Sequence, residues 1–206
     1  MANLPLALVI HDLKNALGGL EGQLLALSQA PTAEQARDAH EHCVDLRQRF
    51  VQFLTIYSTE HGLKAQCDDE APADLVNQLV SDIHLGRLMR NRADQPAKAS
   101  LTDAPPFWYY DRRLVRMAME AAVHNAGRFA KSSVVIGACA RDGGLVFFVE
   151  DDGPGLGALD PSELSTGLGT HLCQAIALAH ALQGRTGQIK LFDRPEGGAR
   201  FEMWLP

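Results

Sequence analysis

The sequence predicts an α+β chain, with a helical hairpin first and then a sandwich of helices over one face of a mixed sheet. Three observations predict it. Apolar residues in the first 60 positions recur at alternating spacings of three and four, the signature of a helix with one buried stripe. In the remainder, helical stretches and β-rich apolar runs come in clusters. Glycine-rich turns punctuate it.

The first helix carries Leu6, Ile10, Leu13, Leu17, Leu20, Leu24 and Leu27, and the second Ala36, Ala39, Cys43, Leu46, Phe50, Phe53 and Tyr57. Each set is an a/d heptad seam. Between them Pro31 cannot continue a helix, and Thr32 with Gln35 forms a capping box. One antiparallel hairpin buries too little to stand alone, so the seams predict a homodimer in which two hairpins form a four-helix bundle.

The heptad stops at His61–Pro72, a stretch with Gly, Pro and charge that reads as a linker. This places a hairpin domain at 1–62 and a second domain at 72–206. In the second domain a helix is expected around Asp74–Met89, a weakly strand-like stretch in Lys98–Tyr110, and a helix over Asp111–Ala130. Strands Val134–Ala140 and Leu145–Asp151 follow, joined by an Arg141–Gly144 turn. A glycine-rich loop opens a helix from Leu168 to Gln183. Strands Gln188–Asp193 and Ala199–Leu205 close the chain around the turn Arg194–Gly198.

Composition narrows the function classes. With 46% hydrophobic and 21% charged residues the 206-residue chain is ordinary globular material. A net charge of -6 gives no electrostatic case for nucleic acid or an anionic membrane. No stretch approaches the ~20 apolar residues of a membrane span. Four cysteines, none in a CxxC pair or at zinc-ligand spacing, read as free thiols of a reducing cytoplasm.

Four short constellations carry chemistry. In His11-Asp12-Leu13-Lys14-Asn15, His11 lies off the seam with Asn15 one turn later. A neutral exposed imidazole can attack phosphorus, and the Asp12 carboxylate can hold its tautomer. The same residues also suit a solvated helix face. In Val149-Glu150-Asp151-Asp152-Gly153-Pro154-Gly155, a carboxylate at the end of an apolar strand suits the exocyclic amine of adenine, while Gly153 and Gly155 let backbone approach a ligand; a plain Gly-Pro turn reads the same. In Ser165-Thr166-Gly167-Leu168-Gly169-Thr170, glycines before a helix N-terminus expose N–H groups to phosphate, though an N-cap loop looks similar. In His124-Asn125-Ala126-Gly127-Arg128-Phe129-Ala130, Asn125 could ligate phosphate-bound Mg²⁺ and Arg128 could face the phosphates.

In this order and spacing the four segments resemble the histidine kinase family over nearly the whole chain. HDLKN resembles the phosphoacceptor H box, HNAGRFA the N box, EDDGPG the first G box and STGLGTHL the second. The resemblance implies a dimeric phosphotransfer hairpin followed by the ATP-binding fold shared with gyrase, Hsp90 and MutL-type proteins. It makes His11 the phosphoacceptor with Asp12 its partner, and puts Asn15 where regulator-dephosphorylating kinases carry Asn or Thr. It gives Asp151 to the adenine amine, Gly153, Gly155, Gly167 and Gly169 to the pocket, and Asn125 to Mg²⁺. The implied partner is the receiver domain of a response regulator, with input from a separate sensor protein.

Two positions depart from the family pattern. Four residues before Asn125, where these kinases carry Asn and related ATPases Glu, stands Ala121, with Glu120 one residue off. Only eleven residues, none Lys or Arg, separate Gly155 from Gly167, where many relatives have a long lid. Three readings follow: an ATP-dependent autokinase acting through His11; a histidine phosphotransferase whose C-terminal domain no longer binds ATP; and a dimeric scaffold in which His11 is dispensable.

Overall fold

A computed structural model describes residues 6–57, 63–84, 97–157 and 168–206. The chain divides into two compact units, a helical one that takes in residues 1–60 and a sheet-containing one that begins at His61.

In the helical unit, α1 (Leu6–Gln29) and α2 (Ala33–Tyr57) pack as a hairpin. The Thr32 hydroxyl oxygen accepts from the Gln35 backbone N–H at 3.1 Å, and the hydroxyl lies 3.1 Å from Gln35 Oε1. The predicted cap is present, with the glutamine turned to the hydroxyl rather than to the cap's own N–H.

The heptad seams are not single buried stripes, as expected, but divide in two. Leu13 (8% exposed), Leu20 and Ala39 are buried, and Leu27, Leu46 and Phe53 partly so. The alternate positions Ile10 (50%), Leu17 (49%), Leu24 (50%) and Phe50 face outward, as do Ala36 and Cys43. The side chains of Leu6 and Tyr57 fall outside those described. Two antiparallel helices meet along one line, which covers every second seam position and leaves the others for another surface.

The sheet unit contains β1 (Asp68–Glu70), α3 (Pro72–His84), β2 (Ala97–Ser100), β3 (Trp108–Tyr110), α4 (Arg112–Phe129), β4 (Val134–Arg141) and β5 (Gly144–Asp151). After these come α5 (Leu168–Ala179), β6 (Ala181–Leu182), β7 (Arg185–Thr186), β8 (Gln188–Asp193) and β9 (Ala199–Leu205). The main sheet has the order β2-β4-β5-β9-β8, with β2 parallel to β4 and every other pair antiparallel. A mixed sheet carrying α3 and α4 matches the fold class read from the sequence.

Three segments differ from expectation. The expected linker holds β1, which pairs antiparallel with β3, and Gln66 N–H donates to Asp111 Oδ2 at 2.8 Å. The expected strand region Lys98–Tyr110 is two short strands in different sheets. The last helix ends at Ala179, four residues early, because the His180 imidazole takes the Ile176 carbonyl (Nδ1 to O, 2.7 Å) that the next helical N–H would have used. Gln183 and Gly184 then adopt positive φ and turn β6 into β7. Residues 85–89 of the expected helix Asp74–Met89 lie outside the described residues.

The core lies between sheet and helices. Leu145, Phe147 and Val149 alternate along the helix-facing side of β5, and Tyr110 meets Phe147 edge-on at 5.3 Å. Val146 and Phe148, on the opposite face, are buried as well. The Arg200 guanidinium lies 4.0 Å over the Phe148 ring, and Arg185 lies 4.6 Å over Trp204. Long cationic side chains thus cover apolar surface where no helix does.

Candidate functional site

On α1, His11 projects to solvent with its side chain 66% exposed, as the sequence indicated. Its neighbour on the seam, Ile10, was expected inward and is instead exposed within the single chain. The two polar neighbours of His11 both address one ring nitrogen: Asp12 Oδ1 lies 3.4 Å and Asn15 Nδ2 3.3 Å from Nδ1. Among the described residues nothing bonds Nε2. The two contacts need opposite tautomers, because a protonated Nδ1 donates to the carboxylate and cannot accept from the Asn15 NH₂. In the tautomer with Nδ1–H on Asp12, the Nε2 lone pair is left open to an electrophile.

In the sheet unit a cavity opens where β5 ends. Ala122, Asn125, Ala126 and Phe129 of α4 line it with Val149, Asp151, Gly155, Leu156, Leu191 and Phe201. Its walls are mostly apolar, and its one buried charge is Asp151. Asp151 Oδ1 accepts from Gly153 N–H at 2.8 Å and from Ala199 N–H at 3.3 Å. Neither bond falls on Oδ2, so among the described residues one carboxylate oxygen is held by backbone and the other is available to a donor. An apolar slot with one such acceptor fits a flat heterocycle carrying an amino group.

The two adjacent aspartates, alike in sequence, have separate roles. Asp152 accepts from the N–H groups of Lys131 (2.9 Å), Ser132 (3.0 Å) and Ser133 (3.2 Å), and from the Ser132 hydroxyl. Partial burial works against its charge, but these donors outweigh it and hold the carboxyl well below the usual carboxylate range. Asp152 therefore pins the α4–β4 connection to the end of β5.

Gly153 is required by close approach, since a Cβ there would stand 2.5 Å from the Phe129 carbonyl oxygen. Gly155 has φ +89°, and a Cβ would meet Asp193 Oδ1 at 2.5 Å. Gly169 lies in the first turn of α5, where a Cβ would only touch Ala121 Cβ at 3.8 Å. Thr166 and Gly167 lie outside the described residues. Arg128 stands 5.8 Å over the Phe129 ring and is not among the cavity-lining residues, whereas Asn125 is. Glu120 does not rotate into the place of Ala121: it pairs with Arg116 Nε at 2.7 Å, and Ala121 is buried.

A larger cavity, about 270 Å³ against about 100 Å³, opens beside Arg141, Arg185, Lys190, Glu202 and Trp204. Its guanidinium groups are already engaged. Arg141 binds the buried Glu202, and Arg185 donates to the carbonyls of Asp142 (2.7 Å) and Gly143 (3.3 Å). The smaller cavity has the open acceptor.

Sequence reasoning missed Leu191, Phe201 and the Ala199 N–H as parts of this site. Their signal was the apolar pattern of β8 and β9, which becomes a wall only once β9 pairs with β5 and β8 with β9.

A family model described as histidine kinase-, DNA gyrase B-, and HSP90-like ATPase matches residues 110–206, the stretch that builds this cavity. Among curated relatives, the sensor histidine kinase CpxA of Escherichia coli K12 is 29% identical over 133 residues, covering 55% of this chain and 28% of CpxA. The sheet unit thus carries a histidine kinase-type ATPase domain, and the relatives it matches are sensor histidine kinases. The sensor protein KdpD of the same organism is 28% identical over 99% of this chain and 24% of KdpD. The chain thus spans roughly a quarter of the length of these kinases. Among solved structures, the Acinetobacter baumannii histidine kinase AdeS shares the fold at TM-score 0.65 and 20% identity, covering 95% of this chain and 96% of that one. Full-length ShkA, solved with AMPPNP, gives TM-score 0.61 at 19% identity, covering 97% of this chain and 44% of that one. The fold is therefore shared with histidine kinases of little residue identity. No described helix is long and apolar enough to cross a membrane.

Proposed function

We propose that the chain is a cytoplasmic two-component kinase that uses Mg²⁺-ATP to phosphorylate His11 and exchanges that phosphoryl group with an aspartate of a response regulator receiver domain. The observation that carries this reading is Asp151: one oxygen held by two backbone N–H groups, the other open at the end of an apolar slot. That arrangement accepts from the adenine amine and excludes a base that presents a carbonyl there. Asn125 stands on the cavity wall where an amide oxygen could ligate the magnesium that accompanies the phosphates. Bound ATP supplies the phosphoryl group; the chain's own contribution is to place the base and to offer a nucleophile.

At His11, Asp12 fixes the Nδ1–H tautomer and leaves Nε2 to attack phosphorus. Asn15, one turn on, is placed to orient a water for the reverse reaction on a regulator. The exposed seam positions Ile10, Leu17, Leu24 and Phe50 support a homodimer of hairpins, and input would come from a separate sensor protein.

A second reading, a histidine phosphotransferase without ATP chemistry, draws on the buried Ala121 and on Glu120 being held by Arg116. One experiment separates the two. Purified chain incubated with γ-labelled ATP and Mg²⁺ should acquire acid-labile, base-stable label that His11→Gln lacks. A chain that accepts label from a phosphorylated regulator but never from ATP would be the phosphotransferase.

A further inference from the structure

We propose that Arg194 is a positioning residue for base recognition, acting through Asp151; this rests on the nucleotide reading above. The β5–β9 ladder ends at the pair Glu150–Arg200. Asp151, one residue further, has left the ladder, yet its carbonyl still needs a donor because the residue is buried. The Arg194 guanidinium supplies it, Nη1 to the Asp151 carbonyl oxygen at 3.0 Å. The other end of the same group, Nη2, lies 3.6 Å from Glu150 Oε2. Glu150 is in turn paired with Arg200, whose Nε reaches Glu202 at 2.8 Å.

The turn that bears Arg194 is closed on itself. Arg194 N–H donates to the Gly198 carbonyl and Gly197 N–H to the Arg194 carbonyl, both at 3.0 Å. Gly198, at φ +85°, brings backbone so near that a Cβ there would stand 1.9 Å from the Asp151 carbonyl oxygen. The next residue, Ala199, donates to the Asp151 carboxylate. The β8–β9 turn therefore holds Asp151 at two points, the carbonyl through Arg194 and the carboxylate through Ala199. At 3.3 Å the second bond is the longer, and the geometry of the first decides whether it is made. Arg194 is not among the residues lining the cavity, so its effect on a bound base must pass through Asp151.

The test is calorimetric titration of the full chain with ADP and with purine riboside diphosphate, which lacks the exocyclic amine. Arg194→Ala should weaken ADP about tenfold, the scale of one charge-assisted hydrogen bond. It should change purine riboside diphosphate by less than about twofold, because without the amine the position of Asp151 has little to act on. Arg194→Lys, which keeps a donor, should recover most of the preference for ADP, and Glu150→Gln, which removes the guanidinium's second anchor, should lose part of it. Equal weakening of both ligands by Arg194→Ala would mean general disruption, and no weakening would mean an idle surface pair; either overturns the proposal. Wild-type chain that binds neither ligand would instead overturn the nucleotide reading, and this inference with it.

Discussion

The side-chain amide nitrogen of Asn15 lies 3.3 Å from Nδ1 of His11, one helical turn away on the same exposed face. Together with Asp12 it occupies the side of the imidazole that does not attack. The three residues should therefore separate by mutation. His11→Gln should eliminate labelling from ATP and from a phosphorylated regulator, since it offers no nucleophilic nitrogen. Asn15→Ala should leave acceptance of phosphate intact and slow only dephosphorylation of the regulator. Asp12→Asn should slow acceptance by weakening the tautomer preference. The His11 and Asn15 variants should change unfolding free energy by no more than ~0.5 kcal/mol, the range for exposed positions. Labelling assays and urea melts on the same variants check this.

The divided heptad predicts that two leucines four residues apart respond differently to charge. Leu13 is buried, packed with Leu168 and against the partly buried Leu46 and Phe53 of α2, whereas Leu17 is half exposed. Leu17→Glu should keep the helical circular dichroism yet reduce the mass seen by light scattering from twice that of the chain to one chain. Leu13→Glu should unfold the hairpin itself, because a buried unpaired charge costs several kcal/mol. A wild-type chain that scatters as a monomer at micromolar concentration would sink the four-helix arrangement.

Asp151→Asn should abolish ATP binding while the fold persists. Gly153 and Ala199 both donate to Oδ1, so the amide oxygen of asparagine must take that place. Its NH₂ group then stands where Oδ2 was, donor facing donor. Titration calorimetry should show a loss on the order of a hundredfold or more in affinity, and thermal melting a loss of about 1 kcal/mol.

His180 makes stability depend on pH. Its Nδ1–H donates to the Ile176 carbonyl and its Nε2 accepts from the Asp111 N–H at 3.0 Å, so the buried ring is neutral with both nitrogens used. Burial holds its pKa below the ordinary histidine value, against the opposing pull of the Ile176 carbonyl and Asp111. The unfolded chain therefore takes up a proton near pH 6.5 that the folded chain refuses. Stability from this group is full above that pH. It falls as pH drops towards the folded pKa, with a slope of at most ~1.4 kcal/mol per pH unit. Urea unfolding at a series of pH values should show the decline, and His180→Gln should flatten it.

Much of this was legible in residue order. Seam spacing, Pro31 and the Thr32–Gln35 cap marked both hairpin helices, and the β4, β5, β8 and β9 strands followed from local alternation and Gly turns. Such features are set by interactions within a few residues. The misreadings arose where a distant partner intervened. The short β1 carries too little apolar signal to be seen before β3 lies beside it, and α5 stops early because the His180 ring has a second partner in Asp111, 69 residues away in sequence.

The sequence by itself determined the hairpin with its exposed His11, the helix α4 and the strands β4, β5, β8 and β9 in their order, and the presence of an acidic pair followed by glycines at the end of an apolar strand. Only the tertiary structure decided what that pair does. Asp152 is consumed by donors from the α4–β4 connection, whereas Asp151 is held on one oxygen and left open on the other. It also decided that half of each heptad seam stays uncovered within one chain. The physical reason is common to both: a carboxylate's role depends on which donors reach it and a leucine's burial on which surface covers it, and neither is encoded by the residue's immediate neighbours.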